Sequence, residues 1–135
     1  MNRENESSFG GGVAILQTDL KGNILFANRN FCEVSGYDRD ELFGKNQNIT
    51  NHPDVPNTVY EEILSALVLD MSWSGTLKLK TKNGLYFWAD VETIHVRDNN
   101  QNSIGYISVL REATQNNIKE NEELYRGLRV KHVDL

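Results

Sequence analysis

The stretch Trp73-Ser74-Gly75-Thr76-Leu77-Lys78-Leu79-Lys80-Thr81-Lys82-Asn83-Gly84 decides the fold. From Thr76 to Thr81 apolar and polar residues alternate, with Leu77 and Leu79 on one face and Lys78 and Lys80 on the other. A period of two is a strand with one buried and one wet face. Lys82-Asn83-Gly84 supplies a turn, because Asn and Gly accept backbone angles that most residues avoid, and Leu85 to Val96 continues as a second strand. A third, Ile104 to Arg111, follows the polar loop Asp98 to Ser103. Upstream, Val13 to Thr18 and Ile24 to Ala27 flank Asp19-Leu20-Lys21-Gly22-Asn23 and read as a hairpin.

Helix signals fill the gap between the hairpin and Trp73. Asn28 to Val34 is one candidate and Asp38 to Phe43 another, with Asp38 placed to cap, Glu41 three residues on, and Gly44 placed to close. Asn51-His52-Pro53-Asp54-Val55-Pro56 cannot form a regular helix, since each proline removes a donor and constrains the residue before it. Asn57 is placed to cap Val59 to Leu69, where Val59, Ile63, Ala66 and Leu67 share a face. Two strands, short helices and three more strands imply an α+β fold, an antiparallel sheet with helices on one face.

Bulk properties narrow the function. The chain has 135 residues, the size of one domain, and a net charge of -5 with a pI near 5.2. That balance excludes the broad basic face that nucleic acid requires and points to protein or small-ligand partners. The single cysteine, Cys32, cannot form an internal disulfide and matches no metal spacing. No apolar run approaches the roughly 20 residues of a membrane span, so no membrane insertion and a cytoplasmic location are expected. Residues 1–12, polar and ending in Gly10-Gly11-Gly12, read as a flexible lead-in; 13–114 form the domain; 115–135 form a C-terminal helix and tail. Ile118, Leu124 and Leu128 make a narrow stripe on that helix, suited to a copy of itself, to a coiled coil, or to its own sheet.

Acid–base and nucleophilic enzymes need a nucleophile or paired carboxylates beside an orienting group; no such constellation stands out, and the chain reads as a non-enzyme. Cys32, beside Phe31, reads as a small buried hydrophobe. His52 with Asp54 is the strongest polar pair: a turn presenting N–H groups beside an imidazole can cradle phosphate or ribose, or can simply cap its own turn. His95 and His132 read as solvent-exposed. Trp73 and Trp88 serve either as ligand walls or as core, and Trp88 shares by alternation the outer face with Tyr86 and Asp90.

Taken in order, Ala27-Asn28-Arg29-Asn30-Phe31, Ser35-Gly36-Tyr37, Glu41-Leu42-Phe43-Gly44, His52-Pro53-Asp54-Val55-Pro56, Trp73-Ser74-Gly75, Lys82-Asn83-Gly84 and Gly105-Tyr106-Ile107 resemble a PAS domain. The His-Pro-Asp and Trp-Ser-Gly elements are similar to the aerotaxis-receptor branch, which holds FAD and senses redox state. The resemblance spans roughly residues 13 to 129 and implies the strand order 2-1-5-4-3 with a C-terminal exit helix. It implies cofactor contacts at Asn28, Asn51, His52, Asp54, Tyr60 and Trp73, no catalytic residues, and signalling to an output or transducer protein, with a homodimer possible. Two alternatives stand beside it, a haem b gas sensor with His52 as axial ligand and a cofactor-free dimerisation module. Three departures are visible. Gln47, in Gly44-Lys45-Asn46-Gln47, replaces the cysteine of the light-sensing branch and cannot form its thiol adduct; Asn51 replaces an arginine; and Leu79, Ala89 and Leu110 fall where flavin-binding members place polar side chains.

Overall fold

A computed structural model describes residues 6, 7 and 9–133, with side chains through 128. Strands β1 (Ala14–Asp19), β2 (Ile24–Ala27), β3 (Trp73–Lys80), β4 (Tyr86–Arg97) and β5 (Ser103–Glu112) pair antiparallel in the order β2-β1-β5-β4-β3. The α+β class and the strand order are those the sequence implied. Helices α1 (Arg29–Ser35), α2 (Arg39–Leu42), a 3-10 turn (Gln47–Thr50) and α3 (Asn57–Val68) connect β2 to β3, and α4 (Gln115–Val133) follows β5.

Local chemistry sets these boundaries. The Asn28 side chain accepts from Phe31 N and starts α1, and Gly36, at φ 79°, ends it in a left-handed conformation that costs glycine little. The Glu41 carboxylate reaches back to Asp38 N at 3.0 Å, so the short α2 carries a capping box. For α3 the N-cap is Pro56, with no side-chain cap; Asn57 is already inside the first turn. Pro56, at φ -62° and ψ 147°, is the last extended residue before the helix, and its missing N–H costs nothing there.

Alternation gives the sheet two different faces. Leu16, Leu77, Leu79, Phe87, Ala89, Val91 and Leu110 are buried on the inner face, beneath α1 and α3. On the outer face Trp88 is 3% exposed, because α4 folds back across it: Tyr125 stacks on Trp88 with centroids 5.6 Å apart and its hydroxyl donates to Thr76 O at 3.2 Å. Ile118 and Tyr125, seven positions apart, are buried there, whereas Leu124 is 52% exposed. The sequence expectation of a stripe through Leu124 is therefore corrected, and the helix lies on its own sheet.

The lead-in also differs from expectation. Glu6 bridges Tyr86, Ser7 N donates to Tyr86 O at 2.6 Å, and Phe9 is buried edge-on against Phe87 at 5.5 Å. Residues 1–5 and 8 of the expected flexible segment lie outside the described residues. His95 is not solvent-exposed: its side chain is 5% accessible, bonded to Ser103 Oγ at 2.6 Å and to Met71 O at 3.1 Å. His132 lies beyond the described side chains.

Candidate functional site

Between the inner face and α3 lies a cavity of about 260 Å³. Strand register builds its floor. Trp73 pairs with Thr93, Thr93 with Ser108, and Ser108 with Leu16, so these four residues form one row across β3, β4, β5 and β1. In the neighbouring rows Val91 pairs with Leu110, and Leu77 and Leu79 complete an apolar floor. Tyr60, Ile63 and Leu67 of α3 form the roof, and Gln47, Asn48, Thr50 and Asn51 the wall toward the 3-10 turn.

Trp73-Ser74-Gly75 acquires a physical meaning here. A Cβ on Gly75 would stand 2.6 Å from the Trp73 ring, so the glycine is the bed on which the indole lies. Trp73 is thereby held against the sheet at the cavity wall, 9% exposed.

Polar groups are few and localised. Thr93 Oγ1 and Ser108 Oγ are 2.8 Å apart. One hydroxyl proton serves that bond, which leaves the second free to donate to a ligand. The Tyr60 hydroxyl is fully buried beside the His52 backbone, yet completes no hydrogen bond of acceptable geometry among the described residues. Burial pushes its pKa up to about 12, so it stays a neutral donor at physiological pH. A buried hydroxyl without a partner costs roughly 1–3 kcal/mol, a cost that a ligand acceptor or a water would relieve.

The six residues singled out in the sequence divide into two groups. Asn51, Tyr60 and Trp73 line the cavity together. Asn28 does not: its Oδ1 accepts from Ile15 N at 2.9 Å and Phe31 N at 3.0 Å, and its Nδ2 donates to Val13 O at 2.9 Å, so it ties α1 to β1. His52 and Asp54 turn around the edge of β3 instead of into the cavity. The His52 ring meets Tyr86 edge-on at 6.3 Å and its Nδ1 accepts from Asp54 N at 3.0 Å, while Asp54 Oδ2 accepts from Lys78 Nζ at 2.8 Å. Burial first, and then the Lys78 ammonium, hold the imidazole below its ordinary pKa against the opposing pull of Asp54. His52 outside the cavity is unsuited to be the axial ligand of a haem there, and among the described residues no cluster of histidine, cysteine and carboxylate side chains could hold a metal ion.

Four further observations complete the site. Leu79 and Leu110 do line the cavity, while Ala89 is fully buried in the floor beside it. Gln47 lines the cavity too. Thr93 escaped the sequence reading, although its signal was present: carrying the Leu77/Leu79 parity across the hairpin puts a polar residue at an inward position opposite Trp73. Cys32 packs at the edge of the core, and burial raises its thiol pKa, as suits a small inert hydrophobe.

Residues 11–113 match the family described as PAS fold, and the chain belongs to the PAS family. It is 35% identical over 111 residues to the aerotaxis receptor of Escherichia coli K12, covering 82% of this chain and 22% of the receptor. It is 30% identical over 80 residues to a nitrogen fixation regulatory protein of Klebsiella oxytoca, covering 59% of this chain and 16% of that protein. The chain thus spans about a fifth of the length of these curated relatives. Among solved structures, the blue-light photoreceptor Aureochrome1 LOV in its light state superposes with a TM-score of 0.72 at 21% identity, over 86% of this chain and 90% of that one.

Proposed function

We propose that this PAS domain is a non-enzymatic redox sensor whose cavity holds the ring system of FAD. The cavity itself carries the reading. Its apolar floor and the clamped Trp73 suit the flat hydrocarbon side of an isoalloxazine, while the Thr93–Ser108 pair, the Tyr60 hydroxyl and the amides of Gln47, Asn48 and Asn51 offer partners for its polar edge. The volume of about 260 Å³ is small against the 300–1,000 Å³ of typical ligand sites, enough for a ring system and short of a whole dinucleotide. Similarity to an aerotaxis receptor and a nitrogen fixation regulatory protein supports the sensory role, and Gln47 at the adduct position argues against a thiol photocycle. When bound, flavin supplies reversible electron transfer.

The chain's own residues supply the route outward. Leu77, Leu79 and Val91 face the cavity, while Thr76, Trp88 and Asp90 alternate with them on the same two strands and hold α4. Asn117 Nδ2 donates to both Asp90 oxygens at 3.2 Å, and Thr76 Oγ1 bonds Asp90 at 2.7 Å. A shift of β3 against β4 would therefore be felt at the helix, which presents the signal to a partner protein or a second copy.

The test is the visible spectrum of the freshly purified protein, with any cofactor released by denaturation and identified chromatographically. A flavin spectrum with FAD released, together with altered amide exchange in α4 on reduction, is the expected result. A colourless protein that takes up neither FAD nor FMN overturns the reading.

A further inference from the structure

Among the described residues that line the cavity, one alone carries a full charge: Lys21, from the β1–β2 turn. Its setting is unusual for a surface lysine. The chain as a whole is acidic, at -5, so its net field disfavours an anion. Lys21 is exposed at its turn yet borders the cavity, which places it at the mouth, and among the described residues it makes no ion pair. The nearby Asp19 carboxylate feels the Lys21 charge without pairing with it, and accepts from Lys21 N and Asn23 N at 2.9 Å each and from Asn23 Nδ2 at 3.1 Å.

The turn that carries Lys21 is also fixed to the opposite wall. Asn46 Nδ2 donates to Lys21 O at 2.9 Å, Gln47 N donates to Gly22 O at 2.8 Å, and Ile24 N donates to Lys45 O at 2.8 Å. Gly22 sits at φ 85°, and a Cβ there would meet the Asn46 and Gln47 amides at 3.3 Å. A cation on a stitched turn pays less ordering entropy on meeting a ligand than one on a free loop.

We propose that Lys21 binds the phosphate of the flavin nucleotide and selects phosphorylated flavins over riboflavin. This rests on the flavin reading above and adds to it the route of the tail. A cavity of about 260 Å³ has room for the rings only, so a bound flavin nucleotide would send its ribityl phosphate to the mouth, where Lys21, Gln47 and Asn48 would meet it. An ammonium meeting a phosphate forms a charge-assisted hydrogen bond, screened here by solvent.

The experiment measures dissociation constants of the apo-protein for FAD, FMN and riboflavin by quenching of flavin fluorescence, for wild type, Lys21→Gln and Lys21→Arg. Lys21→Gln is expected to weaken FAD and FMN about three- to tenfold at low ionic strength, with riboflavin unchanged and the loss shrinking as salt is added. Lys21→Arg keeps the charge and is expected to bind like wild type. An equal loss for riboflavin overturns the proposal, since the lysine would then act on the cavity's shape; so does an unchanged affinity for all three ligands. Failure of the wild type to bind any of them overturns the flavin reading itself. Thermal unfolding of each variant, with an unchanged midpoint expected, separates ligand loss from loss of fold.

Discussion

The two faces of the β3–β4 pair are covered in different ways. On the outer face Tyr125 stacks on Trp88, and Thr76, Asp90 and Asn117 share side-chain hydrogen bonds, beside an open polar hollow that the last three help to line. On the inner face, alternating with these along the same strands, Leu77, Leu79 and Val91 border the cavity beneath α3, beside the buried Tyr60 hydroxyl. Protein interiors are normally close-packed, and a void forfeits dispersion contacts on one side. The outer face is therefore covered by the chain's own exit helix, and the inner face shapes an apolar space in which a ligand would complete the packing. Substitutions on the two faces should separate accordingly.

The largest effect is expected from removing the outer-face cover. Deleting residues 115–135 strips Ile118 and Tyr125 from the sheet and uncovers Trp88. Each buried side chain of this size contributes about 1.5–3 kcal/mol, so a loss of about 4 kcal/mol or more is expected in urea unfolding, with increased self-association of the exposed sheet. Tyr125→Phe, which keeps the stack and removes only the bond to Thr76 O, should cost about 1 kcal/mol. A truncated domain as stable as the full chain would break the comparison, because the outer face would then owe nothing to α4.

A smaller stability effect, with a larger functional one, is expected inside. Leu79→Phe enlarges a side chain that already borders the cavity, so it fills space instead of making it. Stability should change by less than about 1.5 kcal/mol, while flavin affinity falls by roughly tenfold or more as the rings lose room. Undiminished flavin binding would place the ligand elsewhere; a severe loss of stability would show that the inner face has no room for a larger side chain.

How much of this was legible in the sequence follows from which signals are periodic. Strand alternation at Leu77 to Lys80 and the turn at Lys82-Asn83-Gly84 carried through to register, because a period of two leaves only one choice of face. The exit helix was read one position off: Leu124 looked apolar, but Tyr125 buries its ring and sends its hydroxyl to a backbone oxygen, a dual character that binary patterning does not score. Phe9 is a single apolar residue among polar and glycine neighbours, too little to make a pattern, and it is buried through tertiary contact alone. In the site, Asn51, Tyr60 and Trp73 were legible through the family motifs, and the structure brings them together. His52 and Asp54 belong to the same motif, yet the two prolines that flank Asp54 carry the turn around the β3 edge, where Lys78 is waiting. No local rule states which side of a strand edge a turn will take.

That edge supplies the smallest expected effect, and it concerns pH. Among the described residues three charged groups act on the His52 imidazole: Asp54, whose Oδ2 is 3.8 Å from Nδ1, the Lys78 ammonium, and more weakly Lys80. Asp54 would raise the pKa, but its carboxylate is already engaged by Lys78, and burial together with the two lysines prevails. With the native pKa depressed below the ordinary 6.5, the unfolded chain takes up its proton first as pH falls. The unfolded state then binds more protons than the native state, so stability declines with falling pH, from about 6.5 down to the native pKa. His52→Gln should flatten that limb and leave the rest of the pH profile, set by carboxylates such as Asp19 and Glu41, unchanged. Titration of the His52 ring by NMR checks the cause directly. A midpoint below 6.5 in the wild type that falls further in Asp54→Asn is expected, since that change removes the one group favouring the charged form. A midpoint at or above 6.5 would mean that the His52–Asp54 turn behaves as an exposed ion pair, and its packing against Tyr86 and Lys78 would then contribute nothing to the neutral state of the ring.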